Sequence, residues 1–319
     1  MPEVVTTKAL NIAVSGAVQG VGFRPFVYKL AQKFQLTGHV KNTPDGVTIF
    51  AQGDDASIQS FILELRSDAP PLAQIQEIRT HAAHLNGHDD FLIIHSKTSG
   101  KKTAIILPDM STCDDCISDI TNSKNRRYQY PFTNCTNCGP RFSIIQDLPY
   151  DRPATSMAKF EMCPQCQREY DDPNDRRFHA QPNACPNCGP QLDFWDSSGN
   201  SVVQKQSALV KAIDDIASGK IIALKGLGGF QLLCDARNPE AVASLRQRKN
   251  RPAKPFAIMV KDEVQAEELC YISKDEMTLL HSPEKPIVIL DSKMNPMVTN
   301  QLAPGNPTLG VMLPYTPLH

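Results

Sequence analysis

The sequence lacks a surplus of either charge. Its 33 Lys and Arg face 34 Asp and Glu, a formal net charge of −1. A broad nucleic-acid-binding face shows as basic excess, so none is expected. No apolar run approaches membrane-spanning length, and no basic-then-apolar leader opens the chain, so a soluble, cytoplasmic protein with no membrane partner is expected. No Gly-Lys-Ser/Thr follows the first glycine-rich loop, which excludes a P-loop. The later GLGG has Gln231 where a Rossmann fingerprint needs its third glycine. What remains is a 319-residue chain, 41% hydrophobic, with enough apolar residues for two or three domains.

The stretch GAVQGVGFR, residues 16–24, lies between a strand-like LNIAVSG and a helix-like PFVYKLAQKF with Pro25 in the tolerated early position. It can be a turn with a solvated arginine. It can also be an anion cradle, in which glycines let backbone N–H groups converge, the following helix adds its positive end, and Arg24 supplies a planar fork of donors. The flanks favour the cradle. Further on, GHVKNTPDGV reads as two strands broken at Pro44-Asp45-Gly46, with Asn42 ending the first. The expected order is strand 8–15, helix 24–34, strands 36–42 and 46–52, a helix opened by Asp54 or Asp55, and strands near 73–81 and 91–95. That is the split βαβ, or ferredoxin-like, plan.

Residues 1–96 thus resemble an acylphosphatase domain, on GAVQGVGFR followed by GHVKN and DG. The resemblance implies that Arg24 and the amides of Gln19, Gly20, Val21, Gly22 and Phe23 hold the phosphate of an acyl phosphate. It implies that Asn42 orients the attacking water. Positioning and electrostatic clamping supply most of the rate in such chemistry, and no covalent nucleophile is required.

Eight of the ten cysteines form four C-x-x-C pairs: Cys113/Cys116, Cys135/Cys138, Cys163/Cys166 and Cys185/Cys188. Eighteen residues separate the first pair from the second, and the third from the fourth. NRRYQY before NCTNCGPRF recurs as NDRRFHAQ before NACPNCGPQL, so residues 105–200 hold an internal duplication. Two C-x-x-C pairs at this gap point to four-cysteine zinc sites whose filled shell is structural. The pairs can combine sequentially, or interleave with outer pairs together and inner pairs together, an arrangement that resembles the zinc region of DnaJ. His179 is read as a loop or outer-shell residue, Cys234 and Cys270 as ordinary buried cysteines.

From residue 205 strands and helices alternate, as in an α/β sheet. SALVKAIDDIASGK is a helix ended by Gly219. IIALKGLGGFQLLCDA is two apolar runs around a turn carrying Lys225, and PFAIMV and KPIVILD are further strands. Arg246, Arg248, Lys249, Arg251 and Lys254 lie within nine residues, costly unless anions compensate them. The KGLGGF and Lys249-x-Arg251-Pro stretches resemble the YrdC/Sua5 family. By that resemblance Lys249 and Arg251 contact ATP phosphates, Lys225 faces the same cleft, and Lys254 belongs to the nucleotide-binding set.

Taken in order, a ferredoxin-like acylphosphatase domain, a double zinc region with four cysteines per site and a YrdC-like α/β domain (205–319) make an α+β and α/β multidomain chain similar to the HypF family. These are the carbamoyltransferases of nickel–iron hydrogenase maturation. The resemblance implies cleavage of carbamoyl phosphate and activation of the carbamate as carbamoyl-adenylate with ATP and Mg2+. It also implies two structural Zn2+, and transfer by a further Kae1-like domain to the C-terminal cysteine of HypE, toward the iron's cyanide ligand. The chain stops at LGVMLPYTPLH, inside the expected YrdC-like domain, so acyl-phosphate hydrolysis is the activity expected of it. Two rivals are a YrdC/Sua5-type tRNA-modification protein and a DnaJ-like zinc scaffold without catalysis.

Overall fold

The computed structural model describes residues 7–293, 298 and 301–319. Two compact units emerge: the chain through Tyr128 together with Phe132–Gly189, and Gln129–Pro131 together with Pro190–His319.

The first unit opens with β1 (Thr7–Ala17), α1 (Phe23–Lys33), β2 (Thr37–Thr43), β3 (Gly46–Asp54), α2 (Asp55–Ser67), β4 (Gln74–Ala82) and β5 (Phe91–Ile93). The sheet order is β4-β1-β3-β2-β5, antiparallel except for β5 beside β2. This is the split βαβ plan expected from the strand and helix patterns. In β1 the buried Ile12 and Val14 turn to the core with Leu10 packed beside them, while Asn11 and Ala13 on the other face stay exposed. Val27, Leu30 and Ala31 of α1 recur at helical spacing, as do Ile58, Phe61 and Leu65 of α2. Both stripes pack on the sheet in one core. Burying Phe61 fully contributes roughly 1.5–3 kcal/mol. Of the two cap candidates for α2 it is Asp54 that serves, accepting from Ser57 N at 2.9 Å.

The duplicated segment is built around α3 (Asp114–Thr121) and α4 (Pro164–Asp171). Each starts directly after the first cysteine of its repeat, at Cys113 and Cys163. The sequence reading has no helices here, because eight-residue helices show little apolar periodicity. Short 3-10 turns follow at Arg152–Ala154 and Ser156–Lys159.

In the second unit β6 (Asp193–Trp195) and β7 (Ser201–Gln204) form a hairpin, followed by α5 (Gln206–Ala217) with Gly219 just beyond its end at φ 84°. A second hairpin, β8 (Ile222–Gly226) and β9 (Gly229–Leu233), carries Lys225. Then come α6 (Pro239–Arg248), β10 (Ala257–Met259), α7 (Glu263–Leu269), β11 (Cys270–Tyr271), α8 (Lys274–His281), β12 (Val288–Ser292) and β13 (Thr308–Met312). Their sheet runs β10-β13-β12-β11, with β10 and β13 parallel. The sequence reading lacks β6, β7, α7, β11, α8 and β13. The first turn of α8 was legible: Ser273 and Glu276 form a capping box.

Candidate active site and metal centres

The loop between β1 and α1 is shaped by glycine. Gly20 and Gly22 sit at φ 72° and 74°, where side-chain-bearing residues are strained, and Gly22 leads directly into α1. A Cβ on Gly20 would lie 3.0 Å from the Arg141 side chain and 3.2 Å from the Tyr150 ring. Arg141 Nε donates to Gly20 O, while its Nη1 donates to Cys138 O and its Nη2 to Thr136 O. In a planar trans peptide the N–H points opposite to the C=O. Tying down the Gly20 carbonyl therefore fixes the Val21 N–H on the other side of that peptide.

Arg24 stands in the first turn of α1 and is 9% exposed. Its Nη2 pairs with Asp151 at 2.6 Å. That is its one ion pair among the described residues, so the rest of its fork is available. Asn42, at the end of β2, is 1% exposed. Its Nδ2 donates to Tyr150 O at 3.3 Å, and its Oδ1 is buried without a hydrogen-bond partner. An orphaned buried acceptor costs about 1–3 kcal/mol, and this one is left open to a donor. Gln19 braces the arrangement: its Nε2 donates to Thr43 O and Gly46 O, and its Oε1 accepts from Tyr150 N. Arg24, Asn42 and the loop residues Gln19, Gly20, Gly22 and Phe23 line one pocket, together with Thr136, Arg141, Tyr150 and His179, while the Val21 side chain is buried in the core.

His179 thus belongs to this pocket and to neither cysteine cluster. Its ring packs against Tyr170 and Phe178, at 4.8 and 4.7 Å between centroids. Burial, and then the nearby Arg24 charge, push its pKa from the ordinary 6.5 to about 4, so the imidazole is neutral at physiological pH. The sequence reading missed Arg141, Tyr150 and Asp151. Nothing local marks them, because each acts on a residue more than a hundred positions away.

The cysteines form two tetrads, Cys113/Cys116/Cys135/Cys138 and Cys163/Cys166/Cys185/Cys188. The pairing is sequential, not interleaved. Sγ atoms lie 3.6–3.8 Å apart in the first tetrad and 3.6–3.7 Å apart in the second. Disulfide sulfurs would lie at about 2.05 Å. Four thiolates placed tetrahedrally about 2.3 Å from an ion are about 3.8 Å apart, so both tetrads fit a metal ion. Four thiolates around a divalent cation leave net negative charge, and the duplication supplies its compensation crosswise. Arg126 Nη2 and Arg127 Nη2, from the first repeat, approach Cys166 Sγ of the second at 3.3 and 3.7 Å. Arg127 also forks onto Glu169, at 2.9 and 2.5 Å. Fifty residues later, Arg176 Nη1 donates to Cys116 Sγ at 3.0 Å, and Arg177 pairs with Asp119 at 2.5 Å. Arg127 Nε donates to Ala184 O and Arg177 Nε to Asn134 O. The two repeats therefore embrace as a pseudo-twofold pair.

The cations of the second unit divide. Arg246 donates to Arg251 O, Lys254 O and Leu302 O, and Arg251 donates to Lys254 O and Pro255 O; both lie over the Phe256 ring, at 4.5 and 5.0 Å. Backbone carbonyls and an aromatic face engage these two. Arg248, Lys249 and Lys254 are exposed. Lys225 is also exposed, on a hairpin outside the four-stranded sheet, with Nζ 5.8 Å from the Phe230 centroid. Cys270 is fully buried and Cys234 packs half-buried against the same core, as ordinary apolar side chains do.

Comparison with known proteins follows this division. The acylphosphatase family model matches residues 10–93, the HypF finger matches 112–145 and 162–195, and the Sua5/YciO/YrdC family, described as telomere recombination, matches 214–319. The carbamoyltransferase HypF of Synechocystis sp. is 51% identical over 312 residues, covering 98% of this chain and 40% of the relative. That of Rhodobacter capsulatus is 48% identical over 98% of this chain and 41% of its own length. An acylphosphatase of Archaeoglobus fulgidus is 39% identical over 88 residues, which is 27% of this chain and 98% of that protein. A crystal structure of full-length HypF in a phosphate- and nucleotide-bound form superposes with a TM-score of 0.91 at 43% identity, covering all of this chain and 41% of that one. T. kodakarensis HypF superposes at 0.89 with 46% identity, covering 98% of this chain and 40% of that one. The chain spans about two-fifths of the length of these HypF relatives. With every segment matched in order and nearly half of all positions identical, the chain belongs to the HypF carbamoyltransferase family.

Proposed function

We propose that this chain carries the carbamoyl-phosphate-cleaving site of a HypF-type carbamoyltransferase. The observation that supports this most is the pairing of a nine-tenths-buried arginine, its fork largely unengaged, with an orphaned asparagine oxygen in the same pocket. The phosphoryl oxygens sit on the amides of residues 19–23, at the positive end of α1, and on Arg24. A water donates to Asn42 Oδ1, the acceptor left open because Tyr150 O engages Asn42 Nδ2. That water attacks phosphorus, the P–O bond to the carbamoyl group breaks, and the products are phosphate and carbamate. Arg24 and the amides stabilise the charge that shifts onto the phosphoryl and leaving oxygens.

In this reading Zn2+ fills each tetrad as a structural ion, since four thiolates leave no position for substrate. The second unit contributes to ATP binding, with Lys225, Lys249 and Lys254 exposed and available to phosphates, and Arg251 shaping the loop between them. The acceptor implied by the family is the C-terminal cysteine of HypE.

Asn42→Ala tests the site. It removes the water's acceptor and leaves the phosphate cradle intact, so kcat for carbamoyl phosphate should fall by roughly 10²–10³-fold, with KM changing far less. A raised KM at unchanged kcat would mean that Asn42 binds substrate and does not position water.

A further inference from the structure

Both candidate catalytic side chains are engaged by consecutive residues of the segment between the cysteine repeats: Asn42 by the carbonyl of Tyr150, Arg24 by the carboxylate of Asp151. The first contact has a structural use, since it orients the amide. The second is unexpected. A carboxylate on the arginine of an anion site weakens that arginine's pull on a phosphate. Its side chain is 23% exposed, and Arg24 is its one side-chain partner among the described residues. A carboxylate offers about four lone-pair directions, so most of its accepting capacity is unused next to the Arg24 guanidinium.

Carbamoyl phosphate has something to give it. Its amino group is joined to the phosphorus through a single P–O–C–N linkage, so a phosphate held on the free edge of Arg24 brings that NH2 toward the carboxylate held on Nη2. We propose that Asp151 is the residue that selects the carbamoyl group, its carboxylate accepting a hydrogen bond from the substrate NH2 while Arg24 binds the phosphate of the same molecule. The inference rests on the reading of this pocket as a carbamoyl-phosphate hydrolase. Acetyl phosphate has nearly the same shape, with a methyl in place of NH2. It would press that methyl against a poorly solvated carboxylate and leave it unpaired. Sites built to hydrogen-bond a substrate N–H reject analogues lacking it far more strongly than apolar pockets distinguish a methylene.

The test compares kcat/KM for carbamoyl phosphate and acetyl phosphate in the zinc-loaded 319-residue chain and in its Asp151→Ala and Asp151→Asn variants. Wild type should prefer carbamoyl phosphate. Asp151→Ala should lower the carbamoyl-to-acetyl ratio at least roughly tenfold, and Asp151→Asn, which keeps an acceptor oxygen in the same place, should retain part of the preference. Equal losses on both substrates in the two variants would overturn the inference and reduce Asp151 to a brace for Arg24. A wild type that cleaves both substrates equally well would overturn it too, while leaving the hydrolase reading standing. A folded wild type that cleaves neither would overturn the hydrolase reading itself.

Discussion

Arg24→Ala should lower kcat/KM for carbamoyl phosphate by roughly 10³–10⁵-fold, the range that an arginine supplies in phosphoryl transfer. Arg24 is the one charged side chain inside the loop pocket whose fork is not consumed by backbone carbonyls. Arg141, the other arginine there, is spent on Gly20, Cys138 and Thr136. Arg24→Lys keeps the charge but loses the planar fork, and should recover only a small part of the loss. The alanine change also leaves Asp151 without its partner in a mostly buried position, a cost of about 1–3 kcal/mol. The assay therefore pairs phosphate release with circular dichroism and bound-metal content. A folded, metal-loaded alanine variant within about tenfold of wild type would remove Arg24 from the mechanism.

Stripping the metal should have the largest structural effect. The apolar cluster around the first tetrad consists of its own cysteines, Cys116, Cys135 and Cys138 with Cys113 against them. Without an ion that cluster loses its centre, and the arginines that approach Cys116 and Cys166 would face neutral thiols. A chelator with a thiol-reactive reagent should open residues 112–189 to protease while the five-stranded sheet survives, because that sheet has its own core from β1, β2, β3, α1 and α2. Because the arginines cross between repeats, damage to one tetrad should weaken the other. Acyl-phosphate cleavage should fall in parallel, since Arg141 and Tyr150 hold Gly20, Gln19 and Asn42 in place. An unchanged cleavage pattern after complete metal removal would show that the duplicated segment folds on its own contacts.

What the sequence disclosed was chemistry carried by neighbours along the chain. GAVQGVGFR, the Asn42 strand end and the C-x-x-C pairs act through residues a few positions apart, so spacing alone exposes them. The tetrad pairing was closed to such reading, because sequential and interleaved arrangements use the same spacings and differ only in tertiary path. The repeated Arg-Arg pairs were visible as a repeat, yet their targets, Glu169 and Asp119, lie in the opposite copy. Asp151 and Tyr150 reach Arg24 and Asn42 only once the chain has folded back. In the second unit Arg246 and Arg251 donate to backbone carbonyls of their own loop, contacts that charge counting does not anticipate.

The central claim is that this pocket directs a water, held at Asn42, onto the phosphorus of carbamoyl phosphate. Hydrolysis in water labelled with oxygen-18, using the zinc-loaded chain, tests it most directly. The account predicts phosphate release above the uncatalysed rate, with one labelled oxygen entering the phosphate at each enzymatic turnover. Release that leaves the phosphate unlabelled would place the attack on the carbamoyl carbon and contradict the assignment of Asn42, and no release above background would contradict the site itself.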